Sequence, residues 1–243
     1  MDKLRMRFRK EGRAVYISHL DLMHTMQRAF TRTEYNLKHS EGFNPHPIMS
    51  ILLPLSVGTS SCCEIMDFRL LEDTEFTAAE FEEMKDKLNT SLPEGIRVDE
   101  IYPVNEKATD LKWLKVLGRF EYDSSNSQLQ EGVISEDDRQ LPMEDIADKL
   151  KEFFSQNSII IKKKTKSGVN DFDVKSGIRS FKFYTGDHAI NLEAIVSAQE
   201  PTFNPELIPE ALRQLSPDLV PSFTAFSRVL IYTDGLRIHT AGI

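Results

Sequence analysis

The first hundred residues switch between two hydrophobic periods, and that switching restricts the fold more than any other feature of the chain. Leu4-Arg5-Met6-Arg7-Phe8-Arg9 alternates apolar with basic residues, the pattern of a half-exposed strand. Glu11-Gly12-Arg13 reads as a turn, and residues 14–17 resume extended chain. Ser18, with Asp21 at the capping-box spacing, starts a helix. Leu22, Met26, Ala29 and Phe30 supply its apolar face. Residues 48–53 and 61–71 read as strands, joined by a connection holding Gly58. Thr77 and Glu80 open a second helix, in which Phe81, Met84 and Leu88 recur at helical spacing. Leu92-Pro93-Glu94-Gly95 ends it, and residues 96–104 are a strand. The order β-α-β-β-α-β is the split βαβ pattern of ferredoxin-like folds.

A similar order recurs downstream. Residues 113–122 read as a strand, and 124–140 as a polar, acidic hairpin tip or mobile loop. A helix follows over 142–154, with Ile146, Leu150 and Phe153 inward, then a strand over 158–164. Residues 172–183 give no clear pattern and leave room for a short helix before Tyr184. A strand over 189–196, a helix over 204–215 with Pro205 at its favoured first position, and a strand over 228–232 complete the chain. The expected fold is therefore α+β: two tandem ferredoxin-like units with antiparallel sheets. A domain over 1–106 would carry the site, and a divergent second copy would span 107–243.

No apolar run approaches the roughly 20 residues needed to cross a bilayer. The charged start, Met-Asp-Lys-Leu-Arg-Met-Arg, precedes no apolar signal region. The expectation is a cytoplasmic protein with no membrane partner. Net charge is −8, which argues against wholesale nucleic-acid binding. It is unevenly spread: nine Lys/Arg against five Asp/Glu give +4 over residues 1–50, leaving −12 for the rest. A basic segment on an acidic body suits a face that meets an anion, or simply a solvated edge. Cys62 and Cys63 are adjacent. Neighbours on a strand point to opposite faces, so the plain reading is two reduced, buried thiols; the alternative is a redox-sensitive pair. Two thiols alone complete neither a zinc nor an iron–sulfur site, and no cofactor is expected.

The candidate site is the helix start and the loop that follows the helix. Ser18 is a cap rather than a nucleophile, because adjacent side chains on a helix do not face each other. His19 stands by the free N–H groups of a positive helix end, where a neutral imidazole can bind a ligand or act as a general base. It could equally satisfy a neighbouring carbonyl. Arg28 and Arg32 lie one turn apart on a face shared with His24. Two such guanidinium groups either clamp an anion or pair with Glu64 or Asp67 of a neighbouring strand. In the loop Ser40-Glu41-Gly42-Phe43-Asn44-Pro45-His46-Pro47, Phe43 suits stacking on a base, or plugs the loop into the core. Ser40, Asn44 and His46 can supply directional hydrogen bonds, with Glu64 nearby. His19, His24, His39, His46 and Glu64 show no zinc-motif spacing, so no metal is expected.

Together these residues resemble a known family. The carriers are Phe8-x-Lys10-x-Gly12-x-x-x-Tyr16-x-Ser18-His19-Leu20-Asp21, Arg28-Ala29 with Arg32, and Ser40-x-Gly42-Phe43-Asn44-Pro45-His46-Pro47. Pro54-Leu55-x-Val57-Gly58-x-x-Ser61-x-x-Glu64 and Leu92-Pro93-x-Gly95-Ile96 continue the match. The chain is similar to the radical-SAM-linked proteins, a bacterial domain family of unknown function. The likeness is strong to about residue 104 and fainter beyond. Thr33-Glu34-Tyr35-Asn36 departs from the family pattern at the end of the helix. The resemblance implies a radical-SAM protein, fused or encoded alongside, as partner. The chain itself lacks Cys-x-x-x-Cys-x-x-Cys. Three functions stay open: an accessory or substrate-binding protein for RNA or another anionic ligand, an enzyme with His19 as base, and a structural interaction module.

Overall fold

The computed structural model describes residues 3–72, 75–104, 106–122, 142–165, 168–187 and 189–234. The chain is mixed α+β, with four α-helices among the described residues and a large, mostly antiparallel sheet. It divides into two compact units: residues 1–113 with 227–243, and residues 114–226. The acidic loop expected over 124–140 lies outside the described residues.

The first unit follows the expected order of main elements: β1 (Leu4–Lys10), α1 (His19–Thr31), β2 (Met49–Leu52), β3 (Ser60–Phe68), α2 (Ala78–Ser91) and β4 (Ile96–Pro103). The stretch expected to run extended over 14–17 instead falls mostly in a 3-10 turn, Gly12–Tyr16, closed by the Ala14 N–H donating to the Glu11 carbonyl at 3.1 Å. β1 lies between β3 and β4, antiparallel to both, and β2 runs antiparallel along β3. Leu4, Met6 and Phe8 of β1 meet Phe68, Met66 and Glu64 of β3, so one face of the pair is apolar except at Glu64. That face joins Leu22, Met26, Ala29 and Phe30 of α1 and Met84 and Leu88 of α2 in one core. Both caps form. The Asp21 N–H donates to Ser18 Oγ at 3.1 Å, and Thr77 and Glu80 complete a capping box. Asn89 fixes α2 to β4 by bracketing the Val98 backbone, with both bonds at 2.8 Å.

The second unit holds most of β5 (Leu111–Glu121), then α3 (Met143–Phe154), β6 (Ile160–Thr165), β7 (Gly168–Asp173), β8 (Ile178–Gly186), β9 (Ala189–Ser197), α4 (Leu207–Leu215) and the start of β10 (Phe223–Thr233). Its strands run β10-β5-β9-β8, while β6 and β7 form a separate hairpin. Residues 172–183 hold the end of β7, a 3-10 turn over Val174–Gly177, and the start of β8. Phe120, Phe154, Phe183 and Phe226 meet at its centre, with ring centroids 5.6–5.9 Å apart. β10 then returns to the first unit, where Ser227 and Arg228 pair parallel to Ser60 and Ser61 of β3.

Candidate functional site

The loop after α1 is held by its own hydrogen bonds. The Ser40 N–H donates to the His46 carbonyl at 2.8 Å, and the His46 N–H returns a bond to Ser40 Oγ at 3.1 Å. Ser40 Oγ also lies 2.9 Å from His46 Nδ1. His39 bridges to Pro47, and the Lys38 N–H bonds the Arg69 carbonyl, which anchors the base of the loop beside β3. Between the tied ends Gly42 takes φ +123°, a conformation that glycine adopts without a Cβ penalty. Phe43 stands fully exposed at the tip, and Asn44 and His46 are exposed with it. Ser40 and His46 thus shape the loop, and Phe43 and Asn44 are what it offers to solvent.

On α1, His19, His24, Arg28 and Arg32 are all exposed. Arg32 Nη1 donates to the Ser91 carbonyl at 3.4 Å, at the end of α2. Among the described residues, neither His19 nor Arg28 has a hydrogen-bond or ion-pair partner. The strand carboxylates weighed as partners for these arginines are engaged elsewhere. Asp67 takes both Nε and Nη2 of Arg5, at 2.6 and 3.2 Å, and Lys3 at 3.3 Å. Glu64 takes Arg228 Nη1 at 2.9 Å.

Glu64 lies in a buried charge cluster. Its carboxylate is fully buried, Lys10 and Arg228 are 2% and 6% exposed, and Ser61 is buried beside them. Arg228 Nη1 also donates to the Leu53 carbonyl at 2.8 Å. Leu53 holds φ +52°, a left-handed conformation that costs a branched side chain of order 1–3 kcal/mol unless its surroundings impose it. Burial pushes the Glu64 carboxyl up, against the pull of Arg228, Ser61 and Lys10. Burial likewise pulls Lys10 down. Glu64 Oε2 is buried without a hydrogen-bond partner among the described residues.

A cavity of about 370 Å³ opens beside the Arg5–Asp67 pair, lined also by Lys3, Glu106 and Lys107. Among the described residues, no group of three or more His, Cys, Asp or Glu is arranged to hold a metal ion.

A family model matches residues 3–205, that of the uncharacterized proteins conserved in bacteria named DUF2344. The chain belongs to this family. A search of curated proteins finds no match. Two solved structures are similar to this DUF2344 chain. The crystal structure of an unknown protein from Galdieria sulphuraria aligns with 94% of this chain and 99% of its own, at 9% identity and TM-score 0.25. Thermus thermophilus Cse3, bound to an RNA representing a pre-cleavage complex, aligns with 93% of this chain and 99% of its own, at 12% identity and TM-score 0.20.

Sequence reasoning missed Lys10 and Arg228. Lys10 left a signal: it continues the apolar register of Leu4, Met6 and Phe8, so the pleat carries it to the core face. Arg228 left a similar one, two residues after the buried Phe226. Nothing local joins either of them to Glu64, because Arg228 is 164 residues away in the chain.

Proposed function

We propose that this chain is an accessory ligand-binding protein that works in the cytoplasm beside a radical-SAM enzyme, and that α1 and the 40–46 loop take an anionic ligand, RNA foremost. The tandem ferredoxin-like organisation belongs to the same reading. The partner rests on the family resemblance. The binding surface rests on one observation: Phe43 is held in solvent by a loop whose shape depends on Ser40 and His46, not on packing of the ring. A ring so presented offers a stacking face at little ordering cost. Arg28 and Arg32, exposed one turn apart, supply the charge that a phosphate needs. A catalytic reading finds less support, because among the described residues His19 has no hydrogen-bonded group to orient it.

The test is fluorescence anisotropy with a labelled single-stranded RNA over a range of KCl concentrations. Arg28→Ala with Arg32→Ala should weaken binding and flatten the salt dependence, by about one unit of slope for each phosphate no longer neutralised. Phe43→Ala should cost about 1–3 kcal/mol of binding while leaving the slope unchanged. Melting temperatures should barely move. Failure of the wild-type chain to bind at low salt, or variants that bind as well as wild type, would remove the surface from consideration. The partner is tested by purifying the chain from its host; a preparation without a radical-SAM protein counts against that half of the reading.

A further inference from the structure

β1 and β3 lose register at one point. Phe8 faces Glu64 and Lys10 faces Ser61, so the single residue Arg9 is matched by two, Cys62 and Cys63. This is a β-bulge, a device that re-aims side chains. On a regular strand the two thiols would leave by opposite faces. Here both sulfurs reach the same atom: Cys62 Sγ lies 3.8 Å and Cys63 Sγ 3.7 Å from the Arg228 carbonyl oxygen. Cys62 Sγ also lies 3.4 Å from the Val229 carbonyl oxygen. Cys62 is half-buried, while Cys63 is buried. We propose that Cys62 and Cys63 form a vicinal dithiol that hydroperoxides oxidise to a disulfide between adjacent residues, with Cys62 reacting first and Cys63 resolving.

The electrostatics give the two sulfurs these separate roles. The neighbouring Cys63 thiol, the backbone N–H of Cys62 and then the guanidinium groups of Arg9 and Arg7 bring the Cys62 thiol down to about 6, against an upward push from burial. The neighbouring Cys62 sulfur, with burial, drives Cys63 up. Of the two, Cys62 is the sulfur that more readily becomes the thiolate, the nucleophilic form, and Cys63 the one that holds its proton. Arg9 is steadied for this by Asp99, which its Nη2 meets at 2.8 Å.

The steps balance. The Cys62 thiolate attacks the terminal oxygen of the hydroperoxide, an S–O bond forms, the O–O bond breaks, and the alkoxide leaves and takes up a proton as alcohol. Cys62 is oxidised by two electrons to a sulfenic acid, and the peroxide is reduced. Its negative charge is then gone, and with it the neighbouring anion that held the Cys63 thiol up. Cys63 sulfur attacks Cys62 sulfur, the S–S bond forms, the S–O bond breaks, and hydroxide leaves with the Cys63 proton as water. Adjacent Cα atoms are about 3.8 Å apart, short of the usual disulfide span, so the product is strained and readily reduced. The site is therefore reversible.

The reduced full-length chain is treated with one equivalent of hydrogen peroxide and weighed intact. It should lose the mass of two hydrogen atoms, lose both thiols counted by iodoacetamide in denaturant, and regain them with dithiothreitol. Peptide mapping should place the bond within one peptide spanning residues 62–63. Cys63→Ser should stop at a sulfenic acid that dimedone traps, and Cys62→Ser should react at least about tenfold more slowly. Phenylarsine oxide, which needs two convergent thiols, should bind the untreated wild-type chain one to one, a reading that requires no variant. A wild-type chain that keeps both thiols, gains only oxygen atoms, joins only a second chain, or fails to bind the arsenical would overturn the proposal.

Discussion

Glu64 and Arg228 form a buried ion pair in the first unit, 2.9 Å apart. Both are enclosed, and each is the other's main electrostatic partner. Taking one away leaves an uncompensated charge where water cannot follow. Arg228→Met or Glu64→Ala should each cost about 3–5 kcal/mol. Replacing both at once by apolar residues of similar volume should recover most of that, because the desolvation of both ions disappears with them. Urea denaturation of the three variants checks the pattern; single variants as stable as wild type would contradict it. The same carboxylate carries a pH signature. Its folded value lies above the ordinary 4.5, because burial disfavours the anion. The contribution is therefore full below the unfolded value and is lost as pH rises through the folded one. Melting temperatures followed upward from about pH 4.5 should fall more in the wild-type chain than in Glu64→Gln. Parallel curves would show that the group does not titrate differently on folding.

At the scale of elements, a single glycine joins the turn after β1 to the start of β4. Gly95 holds φ +88°, and a Cβ there would sit 2.5 Å from the Glu11 carbonyl oxygen and 3.0 Å from Ala14 Cβ. Its own carbonyl accepts the Glu11 N–H at 2.8 Å, so the backbone has no room to withdraw. Gly95→Ala should cost about 2–4 kcal/mol by thermal denaturation, from the left-handed strain and the clash together. Gly12, also left-handed at φ +55° but with open space around it, is the control: Gly12→Ala should show only the strain, about 1–2 kcal/mol. Equal losses would mean that the close approach to Glu11 is unimportant. Elements that write their own boundaries are legible from sequence. Ser18 with Asp21, Thr77 with Glu80, and the spacing of Met84 and Leu88 each state a cap or a face in residues close together. The hairpin of β6 and β7 states little. Gly168 to Asn170 of β7 are exposed, so no core face imposes an alternation on them. α4 begins at Leu207, two residues after the proline expected to open it, because Glu206 occupies the cap position.

For the molecule as a whole, the first unit is made of two separated stretches of chain. Its sheet takes in β10, whose Arg228 lies parallel to Ser61 of β3. A parallel neighbour arrives by a crossover, and no short-range pattern announces it. The same reasoning covers the candidate site. The loop of residues 40–47 declared itself by composition, whereas the partner of Glu64 could not be read, since pairing across 164 residues belongs to topology rather than to motif. A fragment ending at residue 113 would keep Glu64 and Lys10 but lose Arg228. It should be less stable than the unit in the intact chain by about 3–5 kcal/mol, a large share of the roughly 5–15 kcal/mol that holds a typical domain. Fusing residues 227–234 back through a flexible linker should restore a cooperative melt followed by circular dichroism. A fragment that melts as sharply and as high without them would show that β10 is an accessory to the unit rather than a part of it.

The distance between Glu64 and Arg228 also has a meaning in time. A ribosome adding about 5–20 residues per second takes roughly ten to thirty seconds to travel from one to the other. Throughout that interval the nascent β3 lacks a strand along part of its length, and its carboxylate has yet to meet its cation. An unpaired strand edge is a template for the wrong neighbour. The growing chain must therefore either keep β3 loose until β10 emerges or be shielded by a chaperone while it waits.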